Sequence, residues 1–127
     1  MKKPKFLYHG SRTQLSKLTP QQAKGDGICD NHFGIYAIEN KQIAAFFALS
    51  MHGLDLDSRF SIDIKGGQAY LTLFRTEVDW SKKGYLYTLS SDHFEKIDES
   101  QWLAQRDVLP EKIEIVDPLQ LKDFIKT

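Results

Sequence analysis

The sequence holds one cysteine, Cys29, in 127 residues, which excludes an internal disulfide and any zinc site built on several thiolates. A nucleophilic role for Cys29 needs a neighbouring base, so the thiol reads as structural or incidental. Charge of one sign is also missing: 17 Lys and Arg face 17 Asp and Glu, and the whole-chain field draws in neither nucleic acid nor a membrane surface. No apolar run approaches the roughly 20 residues of a membrane span. Phe6-Leu7-Tyr8, after the basic start Met1 to Lys5, is too short for the apolar region of a signal peptide, so the expected location is cytoplasmic. The four histidines, His9, His32, His52 and His93, lack ligand spacing such as His-Glu-x-x-His, so no metal is expected. The glycine-rich fingerprint of a Rossmann dinucleotide site is absent as well.

What remains is an ordinary globular composition, 41% hydrophobic and 27% charged, too apolar for disorder and of a length for one domain spanning residues 1–127. Phe6 to His9 reads as a strand stopped by Gly10-Ser11, and Gln14 to Asn31 as a loop region with at most a short helical turn. Phe33 to Ile38 is a second strand. Asn40 is placed to cap a helix from Lys41 to about Met51, with Ile43, Phe46, Phe47 and Ser50 on one face. Arg59 to Lys65 and Ala69 to Phe74 flank Gly66-Gly67 as a hairpin. Tyr85 to Leu89 is a further strand, Ser91 to Phe94 begins a short helix, and Ile113 to Val116 is a last strand before a terminal helix from Pro118 to Ile125. Strands outnumber helices, which predicts an α+β domain with mostly antiparallel sheet.

Two segments bear groups suited to a flat ligand. In Leu7-Tyr8-His9-Gly10-Ser11-Arg12-Thr13, a histidine at a strand end precedes backbone without a side chain, where a planar group can approach. In the second, Gly34-Ile35-Tyr36 is followed by Ala45 and Phe47, nine and eleven residues after the tyrosine. Two rings held by a strand and the next helix can sandwich a heterocycle. Taken alone, each segment reads first as structure: a structural histidine in the one and a pair of core aromatics in the other.

Together the segments resemble the first two signatures of the poly(ADP-ribose) polymerase-like ADP-ribosyltransferases, and a compact bacterial or phage member is the nearest comparison. The resemblance implies the mostly antiparallel split sheet of that family and NAD as the substrate. It implies that His9 holds a ribose of NAD, that the Gly10 backbone grips the nicotinamide amide, and that Tyr36 and Phe47 stack on the nicotinamide ring. Ser11 would help to hold the nicotinamide or ribose, and Ala45 fills the small position of the second signature. The third signature is a carboxylate before the last sheet strand. Asp107, in Gln105 to Pro110, stands at the matching place, and rifampicin-modifying relatives carry aspartate there; Glu111 and Glu114 lie close enough to be alternatives.

These residue types suit one chemistry. Cleaving the nicotinamide–ribose bond develops positive charge on the sugar, which a carboxylate stabilises, while stacking and amide hydrogen bonds orient the leaving group. The implied activity is mono-ADP-ribosyl transfer to a protein, nucleic acid or small molecule. A module of the same fold that binds NAD or ADP-ribose without turnover is the alternative. An RNA 2′-phosphotransferase is a third, with Arg12 as its one clear basic residue. Trp80 and Trp102 read as packing residues, the lysine pairs as solvated surface, and His32 as a loop residue outside the site. Nothing in the sequence speaks for an antitoxin partner.

Overall fold

The computed structural model describes residues 3–22, 33–98 and 101–126. In chain order the strands and helices are β1 (Phe6–Ser11), β2 (Gln21–Gln22), β3 (Phe33–Ile38), α1 (Lys41–Phe46), β4 (Met51–Gly53), β5 (Arg59–Lys65) and β6 (Gln68–Phe74). They continue with β7 (Thr76–Val78), β8 (Gly84–Ser90), β9 (Glu95–Lys96), β10 (Gln101–Ala104), β11 (Lys112–Val116), α2 (Pro118–Leu121) and β12 (Ile125–Lys126). Among the described residues every strand pairing is antiparallel except β12 on β6, so the fold is α+β with mostly antiparallel sheet.

The main sheet runs β11-β8-β1-β3-β10-β9, with β2 on β3. Alternation along its strands separates two faces. Leu7, Ile35, Ala37, Tyr87, Leu89, Trp102 and Ala104 form one core with Leu18, Phe94 and Val108. On the other face Ala44, Ala45 and Ala48, from α1 and the turn after it, pack with Leu86 and Val116. The opposite side of α1 presents Phe46 and Leu49 to a third core made with Ala69, Leu71, Leu73 and Val78. Small side chains toward one sheet and large ones toward the other place this short helix between two layers.

The contact between α1 and the main sheet is backbone on backbone. A Cβ on Gly10 would stand 2.1 Å from Ala44 O and 2.9 Å from Ala48 N, and one on Gly84 would stand 2.0 Å from Ala48 O. Those obstacles are main-chain atoms that no rotamer change can clear. In the β5–β6 hairpin the requirement is conformational: Gly66 and Gly67 have φ of 59° and 81°, the left-handed pair of a two-residue hairpin turn.

The expected helix to Met51 ends at Phe46. Asn40 Oδ1 does accept the Ile43 N–H at 3.1 Å, as the cap requires. Beyond Phe46 the bonds become i→i+3, Ala48 N to Ala45 O and Leu49 N to Phe46 O, because β4 takes Met51 into a ladder with Val78. The expected terminal helix likewise stops at Leu121, and after one 3₁₀ turn Ile125 joins β12 beside Leu71, so Ile113 to Val116 is not the last strand. Of the region expected as loop, Gln21–Gln22 pairs with β3, and residues 23–32 lie outside the described ones.

Replacing Gly84 by alanine is expected to lower stability by about 1–3 kcal/mol, the usual cost of forcing atoms into a filled site. Urea unfolding of Gly84→Ala measures it, and a loss under about 0.5 kcal/mol would mean that α1 does not rest directly on β8.

Candidate functional site

The first motif, His9 to Ser11, lies where β1 parts from β3. Against β8, β1 is paired along its whole length, from Phe6↔Ser90 to Ser11↔Tyr85; against β3 its one register pair is Tyr8↔Ile38. Just past that pair, the His9 imidazole reaches to the Tyr36 carbonyl, Nδ1 to O 2.6 Å. A carbonyl only accepts, so Nδ1 carries the hydrogen. In the neutral ring Nε2 is then an acceptor, and it has no partner among the described residues. Burial lowers the His9 pKa, outweighing the opposite pull of its bond to Tyr36. The ring is thus held neutral and oriented, with one nitrogen left to accept a ligand hydroxyl.

Tyr87 backs the imidazole, ring centroids 6.2 Å apart. Its hydroxyl accepts the Leu15 N–H at 2.6 Å and donates to Thr13 O at 3.0 Å, which ties the segment after β1 across this face. Burial raises the Tyr87 pKa and keeps it a donor. Ser11, on the same face, accepts the Thr13 N–H at 3.1 Å in a local turn.

Register puts Gly10 and Tyr36 on the opposite face with Tyr8 and Ile38, the face α1 covers. The turn ending α1 lies over Gly10, and Phe47 on it is 41% exposed, its ring edge-on to Phe60 at 6.1 Å. Phe47 is therefore not part of a buried helix face, contrary to the periodicity; the buried members are Ala44, Ala45, Phe46, Ala48 and Leu49. Ala45 packs with Leu86 and Val116, toward β8 and β11.

The acidic candidates have other partners. Asp107, half exposed, pairs with Lys17 Nζ at 3.1 Å beside the Leu18–Val108 bridge. Glu114 is on β11, two strands from β1, and Lys41 at 2.8 Å, with Lys112, holds its carboxyl below the usual range. Glu111 is exposed, its N–H bound to Thr88 O. One residue the pattern did not single out is Gln101. It opens β10 opposite Ile38, hence on the α1 face, and its Oε1 is buried without a hydrogen-bond partner among the described residues. Only the apolar run Trp102-Leu103-Ala104 hinted at that strand.

No family model, curated protein or solved structure matches this chain. Among the described residues no cluster of three or more His, Cys, Asp or Glu side chains is arranged to hold a metal ion, and no helix is long and apolar enough to cross a membrane. Cys29 and His32 lie outside the described residues.

The depressed His9 pKa has a definite sign in stability. Below 6.5, the reference value for histidine, the unfolded chain takes up a proton that folded His9 refuses, so stability falls as pH drops from 6.5 toward the lower folded pKa. Urea unfolding between pH 7.5 and 5.5 is expected to show this loss in the wild type and a smaller one in His9→Asn; equal slopes would place His9 in an ordinary exposed environment.

Proposed function

We propose that the protein binds NAD at the parting of β1 and β3 and transfers ADP-ribose from it, releasing nicotinamide. One observation carries the reading: His9 gives Nδ1–H to the Tyr36 carbonyl at 2.6 Å and keeps Nε2 as an acceptor, the arrangement needed to hold a ribose hydroxyl. Supporting it, the α1 face of the same gap has Tyr36 on the strand and a half-exposed aromatic, Phe47, at the end of the helix. The single β1–β3 register pair, which leaves the two strands open beyond Tyr8 and Ile38, supports the reading. Gly10 carries a structural duty whether or not NAD binds, because α1 fills the space of its missing side chain.

In this mechanism the ligand lies across the gap between β1 and β3, so that Tyr36 and Phe47 hold the nicotinamide plane from the α1 face and His9 fixes the ribose from the other. The acceptor attacks the sugar carbon as the bond to nicotinamide breaks, and the bonding pair leaves with the base. The ring nitrogen, cationic in NAD, becomes neutral in free nicotinamide, so positive charge moves to the sugar and a carboxylate is favoured nearby. Asp107 is that group in the sequence reading. Its pairing with Lys17 favours a second reading, NAD or ADP-ribose binding without turnover.

Nicotinamide release from NAD, with and without cell lysate as a source of acceptor, separates the readings. Transfer requires release by the wild type and a fall of about 100-fold or more in Tyr36→Ala, as expected when a positioning ring is lost. Loss in Asp107→Asn as well assigns the carboxylate. No release but calorimetric binding of NAD supports the binding module, and neither release nor binding removes both readings.

A further inference from the structure

We propose that two copies of this chain pair edge to edge through β5, antiparallel, in the register that sets Ser61 opposite the same residue of the second copy. This inference stands apart from the reading of the NAD site. β5 ends its sheet, in the order β12-β6-β5, and among the described residues no strand covers its outer edge. All of its residues are exposed except Ile62, which is half-buried. An uncovered seven-residue edge is a template for another strand, and natural proteins normally blunt such edges with short strands, bulges, proline or charged side chains. β5 is long and has no proline, and its charges are of both signs, which repel a neutral strand less than they select one of matching pattern. It presents Phe60 at 45% and Ile64 at 56% exposure on its apolar side.

The occupant follows from charge. On the polar side stand Arg59, Ser61, Asp63 and Lys65, with Asp57 two residues before the strand. Among the described residues Asp57, Asp63 and Lys65 have no ion pair, and the Arg59 guanidinium lies 4.3 Å over the Phe74 ring, which holds it along this side. A two-fold axis at Ser61 sets Arg59 opposite Asp63 twice, with Phe60 against Ile62 on the other side. Shifting by two residues one way opposes Arg59 to Lys65, and the other way sets Arg59 opposite Ser61 and leaves Asp63 facing beyond the strand's start, so neither keeps the charge pairs. A slip of one residue sets Phe60 opposite Ser61 or Asp63 and mismatches the two faces. The strand is thus complementary to itself in one register, as a closed two-fold interface demands. The same pairing would shield Phe60, the ring against which Phe47 rests.

Sedimentation velocity of the full chain from micromolar to a few hundred micromolar tests this. Twice the chain mass is expected at the upper concentrations, weakened by added salt. Arg59→Asp and Asp63→Arg should each weaken the dimer about tenfold or more, because like charges then stand opposite one another. The double swap R59D/D63R restores the pairs in reverse order and should return the dimer. All these positions are exposed, and matching thermal melts show that the variants fold. A monomer throughout, a dimer indifferent to the single changes, or loss without rescue in the double swap each overturns the proposal.

Discussion

The direct seat of α1 on two glycines is the constraint on which the rest of the molecule depends. With Gly10 and Gly84 beneath it, the turn ending α1 comes to main-chain contact with β1 and β8. A side chain at either place would lift the helix off the sheet. That lift would open the alanine core below and push Phe46 and Leu49 against the outer sheet above. Because one helix serves both cores, an error in its height is felt on both sides. Close-packed interiors absorb such a shift poorly. The same seat fixes where Phe47 stands, since Phe47 belongs to the turn lying over Gly10.

His9 depends on that arrangement in a second way. Burying an imidazole costs free energy unless its polar atoms are met, and here one nitrogen is met by a carbonyl at the place where the ladder between β1 and β3 gives out. A leucine would fill the space without that cost. The histidine therefore has a structural bond through Nδ1 and an acceptor at Nε2 that the bond does not explain. Tyr87 restrains the ring from behind through two hydrogen bonds of its own, so the acceptor has a fixed direction rather than a rotamer average. A held acceptor contributes to binding without the ordering cost that a free side chain would add.

Much of this was legible in the sequence where a local rule decides the outcome. Asn40 caps a helix, the glycine pair turns a hairpin, and Phe33 to Ile38 is a strand, each for reasons confined to a few residues. What was not legible is set by partners far along the chain. Met51 leaves the helical pattern because Val78 is there to pair with it. Gln101 to Ala104, four residues without turn signals, becomes an interior strand because β3 and β9 flank it. Periodicity put Phe47 on the buried face of α1 because it assumes one buried side. A helix between two layers buries two, and Phe47 falls on the flank between them. Of the site, the histidine, glycine and tyrosine were legible as a motif. The faces they occupy required the register.

Within the proposed reading, the acidic group is what separates turnover from binding. A carboxylate acts on a developing cation in proportion to the inverse of the local dielectric and of the distance between them. With its side chain half exposed and Lys17 Nζ at 3.1 Å, Asp107 is screened by water and largely neutralised by its partner. Its backbone is anchored as well, because Val108 next to it is buried and bridged to Leu18 through reciprocal 2.9 Å bonds. Bringing this carboxylate to a sugar requires the Lys17 pair to open while that anchor holds. Gln101 offers the opposite balance: it is held on the α1 face with a buried, unsatisfied Oε1, yet it bears no charge. An amide oxygen can accept a hydroxyl hydrogen bond but opposes a full positive charge only weakly. On the proposed reading, His9 would meet the ligand at the parting of the strands, and turnover would require binding to draw Asp107 away from Lys17.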